Sequence, residues 1–187
     1  PNLVALMVII RFVLRGVLRK SCSFLDSTFA LKIAPATFNS VLKRLSDVAE
    51  VEFKKLILDI RKSKIVYIDE TSYSVKGKKH WIWVFRTQNE ILIMVSESRG
   101  KTILEEVLGK EFSGIVVCDC WRAYDFLEKA RIQRCWAHLL RKAEDYSKKS
   151  FYVEDFQSKL KELFNEIKDF KDTGPSKFER ELKFYEL

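Results

Sequence analysis

Apolar residues recur at helical spacing through the first third of the chain. Phe12, Val13, Val17 and Leu18 keep a three-to-four period, with Arg11, Arg15 and Arg19 on another face. Phe24, Leu25, Phe29 and Leu31 continue the pattern, and Ile33-Ala34-Pro35 interrupts it. Over Ala36–Val51 the repeat resumes through Phe38, Val41, Leu42, Leu45 and Val48, with Pro35 at the helix start, where proline is tolerated. Helix, short turn and helix is the outline of a helix-turn-helix. A third helix is expected over Glu52–Lys62.

The pattern changes at Lys64. Ile65–Tyr73, Trp81–Arg86 and Ile91–Ser96 are rich in β-formers and separated by short polar turns, which predicts an antiparallel meander. Lys101–Leu108 reads as a helix stopped by Gly109. Ile115–Cys120 is a continuous apolar run of the kind found in buried parallel strands. A helix over Trp121–Ala130, a fifth strand over Ile132–Trp136 and helix from Leu139 onward complete the order. Phe156, Leu160, Leu163, Phe164, Ile167 and Phe170 form an apolar stripe, read as core, as a partner surface or as an insertion helix; Gly174-Pro175 ends it before a last helix near Lys177. A meander followed by alternating helix and strand predicts an α/β fold. The order matches an RNase H-like mixed sheet, three antiparallel strands then two parallel, with flanking helices and an all-helical N-terminal segment. The expected division is 1–63 basic and helical, 64–150 sheet core, and 151–187 helical insertion or tail.

Charge adds a second asymmetry. The chain carries a net charge of +8, yet residues 1–64 hold twelve Lys or Arg against five Asp or Glu, while the rest is nearly balanced. A basic helical arm points to a polyanion, foremost nucleic acid. In the helix-turn-helix reading, Thr37, Asn39, Ser40, Lys43 and Arg44 face double-stranded DNA; the plainer alternative is a solvated basic face. Four cysteines show no disulfide-framework spacing and suit a reducing cytoplasm. Leu3–Ile10 is too short to span a bilayer, so no membrane partner is expected.

Two acids stand out for chemistry. Asp69 lies within the first strand and Asp119 at the end of the fourth, both in apolar runs where a carboxylate is expensive to bury. In a sheet of this order the two strands are neighbours, and paired carboxylates repel unless a cation joins them. Mg²⁺ or Mn²⁺ is the expected cofactor, because such ions take hard oxygen ligands and phosphate and serve phosphodiester chemistry. Cys118, Cys120, Cys135 and His138 are zinc-ligand types, but strand alternation puts Cys118 and Cys120 on one face and Asp119 on the other, which also suits ordinary core cysteines. Trp81 and Trp83 read as core side chains or as base-stacking ones.

Three ordered blocks carry a resemblance. Asp69-Glu70-Thr71, Gly77-Lys78 and Trp81-Ile82-Trp83-Val84 form the first. Ser98-Arg99, Gly114 through Asp119, and Tyr124 form the second. Gln133-Arg134-Cys135-Trp136-Ala137-His138-Leu139-Leu140-Arg141 forms the third. Together they resemble the insertion-sequence-66 family of DDE transposases, over roughly residues 20–150. The resemblance implies Asp69 and Asp119 as the first two metal-binding acids, with Tyr124, His138 and Arg141 flanking the site or the DNA backbone. It implies hydrolysis and then strand transfer at transposon ends by a homodimer in the cytoplasm, associated with the nucleoid, with no small-molecule cofactor. The sequence departs from the family at Cys120, where Gly is expected. The family's third acid, a Glu on a later helix, is expected beyond Leu187, which predicts a C-terminally truncated core that binds metal poorly and whose cleavage and strand transfer are incomplete. Within the chain, Glu144 and Glu154 are the candidates, the latter 35 positions after Asp119. The competing functions are another RNase H-like nuclease and a DNA-binding relic without catalysis.

Overall fold

The computed structural model describes residues 2–186. The chain divides into two compact units, Pro1–Leu58 and Asp59–Leu187.

In the first unit, α1 (Asn2–Val8) runs into a π-helical turn, Ile9–Val13, and α2 (Leu18–Phe29) follows. The hydrophobic phase differs from the expected one. Met7, Ile10, Cys22, Leu25 and Phe38 form the buried cluster. Phe12, Val13, Leu14 and Val17 are 63–70 % exposed. The cause is local: Leu14 N–H bonds back to Ile9 O (2.9 Å) and Gly16 N–H to Ile10 O (2.8 Å), so the wide turn ends the helix and α2 starts in a new phase.

The expected second and third helices are one helix, α3 (Pro35–Lys62). No glycine or further proline interrupts it after Pro35, and the ion pair Glu50–Lys54 (2.7 Å) joins its turns across the expected break. Phe38 faces the first unit's core, while Thr37, Asn39, Ser40, Lys43 and Arg44 are exposed, as the period requires.

The second unit is built on a five-stranded mixed sheet in the order β3-β2-β1-β4-β5, comprising β1 (Ile65–Val75), β2 (Lys78–Arg86), β3 (Ile91–Ser96), β4 (Ile115–Cys118) and β5 (Arg131–Arg134). β1 and β2 pair antiparallel, as do β2 and β3; β4 is parallel to β1, and β5 to β4. This is the RNase H-like mixed sheet expected from the sequence. The β1–β2 hairpin turns on Lys76 (φ 50°) and Gly77 (φ 79°), the left-handed pair that matches the twist of two-residue hairpins.

One sheet face is closed. Val66, Ile68, Trp83, Phe85, Leu92, Val116 and Cys118 are buried, together with Ile103, Leu104, Val107 and Leu108 of α4 (Lys101–Leu108). Gly109 ends α4 with a positive φ, and Arg61 donates to the free carbonyls of Glu106 (2.6 Å) and Val107 (2.8 Å). The opposite face is more open: Ile91, Ile93, Val95 and Tyr67 are 50–61 % exposed. α5 (Trp136–Ser147) packs against α6 (Glu154–Asp172), with Trp136 and Phe164 rings 5.4 Å apart, and α7 (Lys177–Glu186) follows. The stripe residues Leu160, Leu163, Phe164, Ile167 and Phe170 are half-buried, while Phe156 is exposed.

Three local expectations are corrected. β4 stops at Cys118, so Asp119 lies just past the strand. Trp121–Ala130 is a short 3₁₀ turn, Arg122–Tyr124, followed by further turns rather than an α-helix. Its backbone bonds skip three residues (Asp125 N–H to Arg122 O, Leu127 N–H to Tyr124 O), and an ion pair from Arg134 to Asp125 (2.9 Å) pins it to β5. β5 ends at Arg134, and α5 begins at Trp136, earlier than Leu139.

Candidate functional site

The parallel register of β1 and β4 pairs Tyr67 with Val117. Two residues further on along each chain segment come Asp69, still within β1, and Asp119, just past the end of β4. Asp69 is fixed by its pairing with Val84 of β2, and its side chain is 67 % exposed. The cost of burial therefore does not fall on Asp69, as the sequence suggests. It falls on Glu70, whose side chain is fully buried on the other face.

Glu70 is held by two partners. Arg99 Nε donates to Oε1 (2.8 Å), with Nη2 in ion-pair contact with the same oxygen (2.7 Å), and the buried Tyr124 hydroxyl donates to Oε2 (2.9 Å). Burial pushes the Glu70 carboxyl above the usual range, and the bonds from Arg99 and Tyr124 pull the other way. The Tyr124 hydroxyl is raised strongly, first by burial and then by the Glu70 charge. Tyr124 thus flanks the site from within, as a donor to a buried carboxylate.

Arg99 also reaches Asp119, with Nη2 3.2 Å from Oδ2. Its guanidinium lies between two indoles, 4.8 Å from the Trp81 ring centre and 4.6 Å from that of Trp121. The loop that delivers it is shaped by its own serines. Ser98 N–H bonds to Ser96 Oγ and Gly100 N–H to Ser98 Oγ, while the Trp83 indole N–H holds the Ser98 carbonyl (3.2 Å). Asp119 is further fixed by the Trp121 N–H on Oδ1 (2.8 Å), and its carbonyl accepts from Arg134 (2.8 Å).

α5 supplies the remaining wall. His138, Arg141, Lys142 and Asp145 follow helical spacing and line an open cleft of about 380 Å³ with Arg99, Asp119 and Trp121. His138 also lines a smaller cavity with Tyr67, Asp69 and Val84, its Nε2 4.0 Å from Asp69 Oδ1. Its buried Nδ1 finds no hydrogen-bond partner among the described residues, an uncommon arrangement for a buried polar atom.

The structure therefore brings Asp69, Asp119, His138 and Arg141 to one end of the sheet. Glu144 and Glu154 line neither cavity: Glu144 pairs with Lys148 (3.1 Å), and Glu154 is exposed at the start of α6. Glu70 and Arg99 belong to the site as acid and base of a buried pair, and Asp145 as an acid of the cleft wall; for Glu70, the signal was strand alternation, which puts it opposite Asp69. Cys118 is buried and its thiol is pushed up to about 12 by that burial, a setting for an inert core cysteine.

The donor set suits a hard divalent cation in part. Two carboxylates, one within β1 and one just past β4, match the one or two that such ions take beside phosphate oxygens. Among the described residues, no group of three acidic, histidine or cysteine side chains is close enough to hold an ion by itself. No described helix is long and apolar enough to cross a membrane.

The sequence model of the transposase IS66 family matches residues 1–184. No curated protein compared with the chain matches it. Among solved structures, a chain of the simian T-cell lymphotropic virus intasome in complex with PP2A regulatory subunit B56 gamma is similar at 11 % identity, over 47 % of this chain and 42 % of that one, with a TM-score of 0.33. The HTLV-2 integrase catalytic core domain in complex with magnesium, in its trimeric form, is similar at 13 % identity over 52 % and 82 %, with a TM-score of 0.31. The chain thus spans less than half the length of the first of these.

Proposed function

The chain belongs to the transposase IS66 family, and from that premise we propose that Asp69 and Asp119 hold Mg²⁺ or Mn²⁺ and that the site cleaves and rejoins strands of double-stranded DNA at transposon ends. The observation that carries this reading is the placement of the two aspartates. Asp69 lies within β1 and Asp119 just past the end of neighbouring β4, each two residues beyond the paired Tyr67 and Val117, and Asp119 lines a cleft walled by His138, Arg141 and Lys142. Asp69 and Asp119 would hold the ion, which would supply Lewis-acid chemistry for attack on, and departure from, a phosphodiester. The chain's own residues do the rest. Asp69, open to water, is free to ligate; Asp119 is held in one orientation by Trp121 N–H and Arg99. Arg141 and Lys142 supply positive charge for the DNA backbone along one side of α5, and His138 stands between the two cavities. In the first unit, exposed Thr37, Asn39, Lys43 and Arg44 contact duplex DNA. The active form is a homodimer on paired ends.

The test is Mg²⁺- or Mn²⁺-dependent nicking of supercoiled DNA by the full chain beside its Asp69→Ala,Asp119→Ala variant. Nicking by the parent alone would support the assignment of the two acids and show that the acid set is complete within the chain. Equal nicking by both would sink the assignment of the acids.

One observation favours a second reading, DNA binding without chemistry. Asp119 Oδ2 is already engaged by Arg99, and the carboxylates form a pair rather than a triad among the described residues. Salt-sensitive DNA binding with no nicking by either protein would select it.

A further inference from the structure

We infer that Arg99 is a positioning residue that sets how tightly Asp119 takes a divalent cation, with Glu70 as the anchor that draws it away. The inference rests on the reading of Asp69 and Asp119 as metal ligands.

The geometry is lopsided. Both short contacts of the guanidinium, 2.8 and 2.7 Å, go to Glu70 Oε1, and the single longer one, 3.2 Å, goes to Asp119 Oδ2. Nη2 is shared between the two acids. Glu70 cannot follow if Arg99 moves, because its side chain is fully buried and its other oxygen accepts from buried Tyr124. Moving the guanidinium wholly onto Asp119 would leave Glu70 as an uncompensated buried anion, which is strongly disfavoured. The guanidinium carbon also stands 4.8 Å and 4.6 Å from the ring centres of Trp81 and Trp121.

Asp119 is thereby oriented but not fully neutralised. A cation arriving at Asp119 meets an oxygen already in partial contact with a fixed positive charge, and like charges at such separations in a half-buried cleft oppose one another. Arg99 therefore lowers metal affinity as it aligns the ligand. Glu70 limits that effect by taking most of the guanidinium to itself.

This arrangement predicts opposite signs for two substitutions on one ion pair. Arg99→Gln removes the competing charge and tightens metal binding. Glu70→Gln keeps the shape, frees the guanidinium for Asp119 and weakens it. A pair that serves only structure gives the same direction for both, because either change loosens the same contact. Arg99→Lys keeps the charge and leaves affinity near the parent value, although its point charge cannot fork between two acids.

The experiment is titration of Mn²⁺ into the full chain, followed by the spin resonance of the free ion, with a metal-free thermal melt of each variant as a check on folding. The expected result is binding tighter by about tenfold in Arg99→Gln and weaker by about tenfold in Glu70→Gln. Weakening in both, or no change in either, overturns the inference. If Arg99→Gln does not fold, the Arg99→Lys and Glu70→Gln pair decides: loss confined to Glu70→Gln supports it, and equal loss overturns it. Failure of the underlying site is separately visible. Mn²⁺ binding that Asp69→Ala and Asp119→Ala leave unchanged overturns both readings, whereas loss in those two with same-direction changes at Arg99 and Glu70 overturns this one alone.

Discussion

Asp69 and Glu70 are neighbours in the chain and opposites in the fold. Strand alternation sends one carboxylate to the open face, where it is two-thirds exposed, and the other to the closed face, where its side chain is fully buried. The exposed acid accepts from the next backbone N–H (3.0 Å), and among the described residues its nearest basic side chain is His138 at 4.0 Å. The buried acid has an arginine and a tyrosine. Asp69 stays hydrated and open to a ligand, while Glu70 is desolvated and bonded on both oxygens and organises its surroundings. Here one dipeptide holds both kinds.

The comparison can be broken most decisively at Asp69. Asp69→Ala is expected to reduce metal-dependent nicking to background while changing unfolding free energy by no more than about 0.5 kcal/mol, as surface substitutions do. Denaturant melts beside the nicking assay check both halves; a large loss of stability would make Asp69 structural. Glu70→Ala tests the other half. It removes one partner of the buried pair and is expected to cost about 2–3 kcal/mol, at the low end for such pairs because Arg99 is 31 % exposed. An unchanged denaturation midpoint would contradict that role. Tyr124→Phe deletes one donor to Glu70 and should cost about 1 kcal/mol by the same melt.

The smallest effect has a fixed sign. Burial holds the Glu70 carboxyl above the unfolded value of 4.5, so the folded state binds its proton more tightly. That contribution to stability is fully present below the unfolded value and is lost as pH rises through the folded one. Glu70→Gln does not titrate. The parent's melting temperature relative to the variant should therefore fall between acidic and neutral pH, and a rise would show that Arg99 dominates the carboxyl instead.

Much of this was legible in the residues. The order of strands followed from β-rich runs between short polar turns, and the three motif blocks pointed to Asp69, Asp119, His138 and Arg141. The closed pair was not legible. Glu70 and Arg99 lie 29 residues apart, and only the closing of the sheet brings Arg99 between Trp81 and Trp121. The helical phase near Phe12 was misread because a π-helical turn shifts the register without any glycine or proline inside it. Trp121–Ala130 has helical composition, but the ties of Tyr124 to Glu70 and of Asp125 to Arg134 override it.

β3 carries a consequence for the protein in solution. It is an outer strand of the sheet, and its residues from Ile91 to Val95 are all apolar, with Ile91, Ile93 and Val95 turned outward. No lysine, proline or bulge guards its free backbone groups, the usual protection against edge-to-edge pairing. Concentrated samples will tend to oligomerise in register through this edge, and a lysine at Ile93 is the natural first substitution for keeping the protein monodisperse.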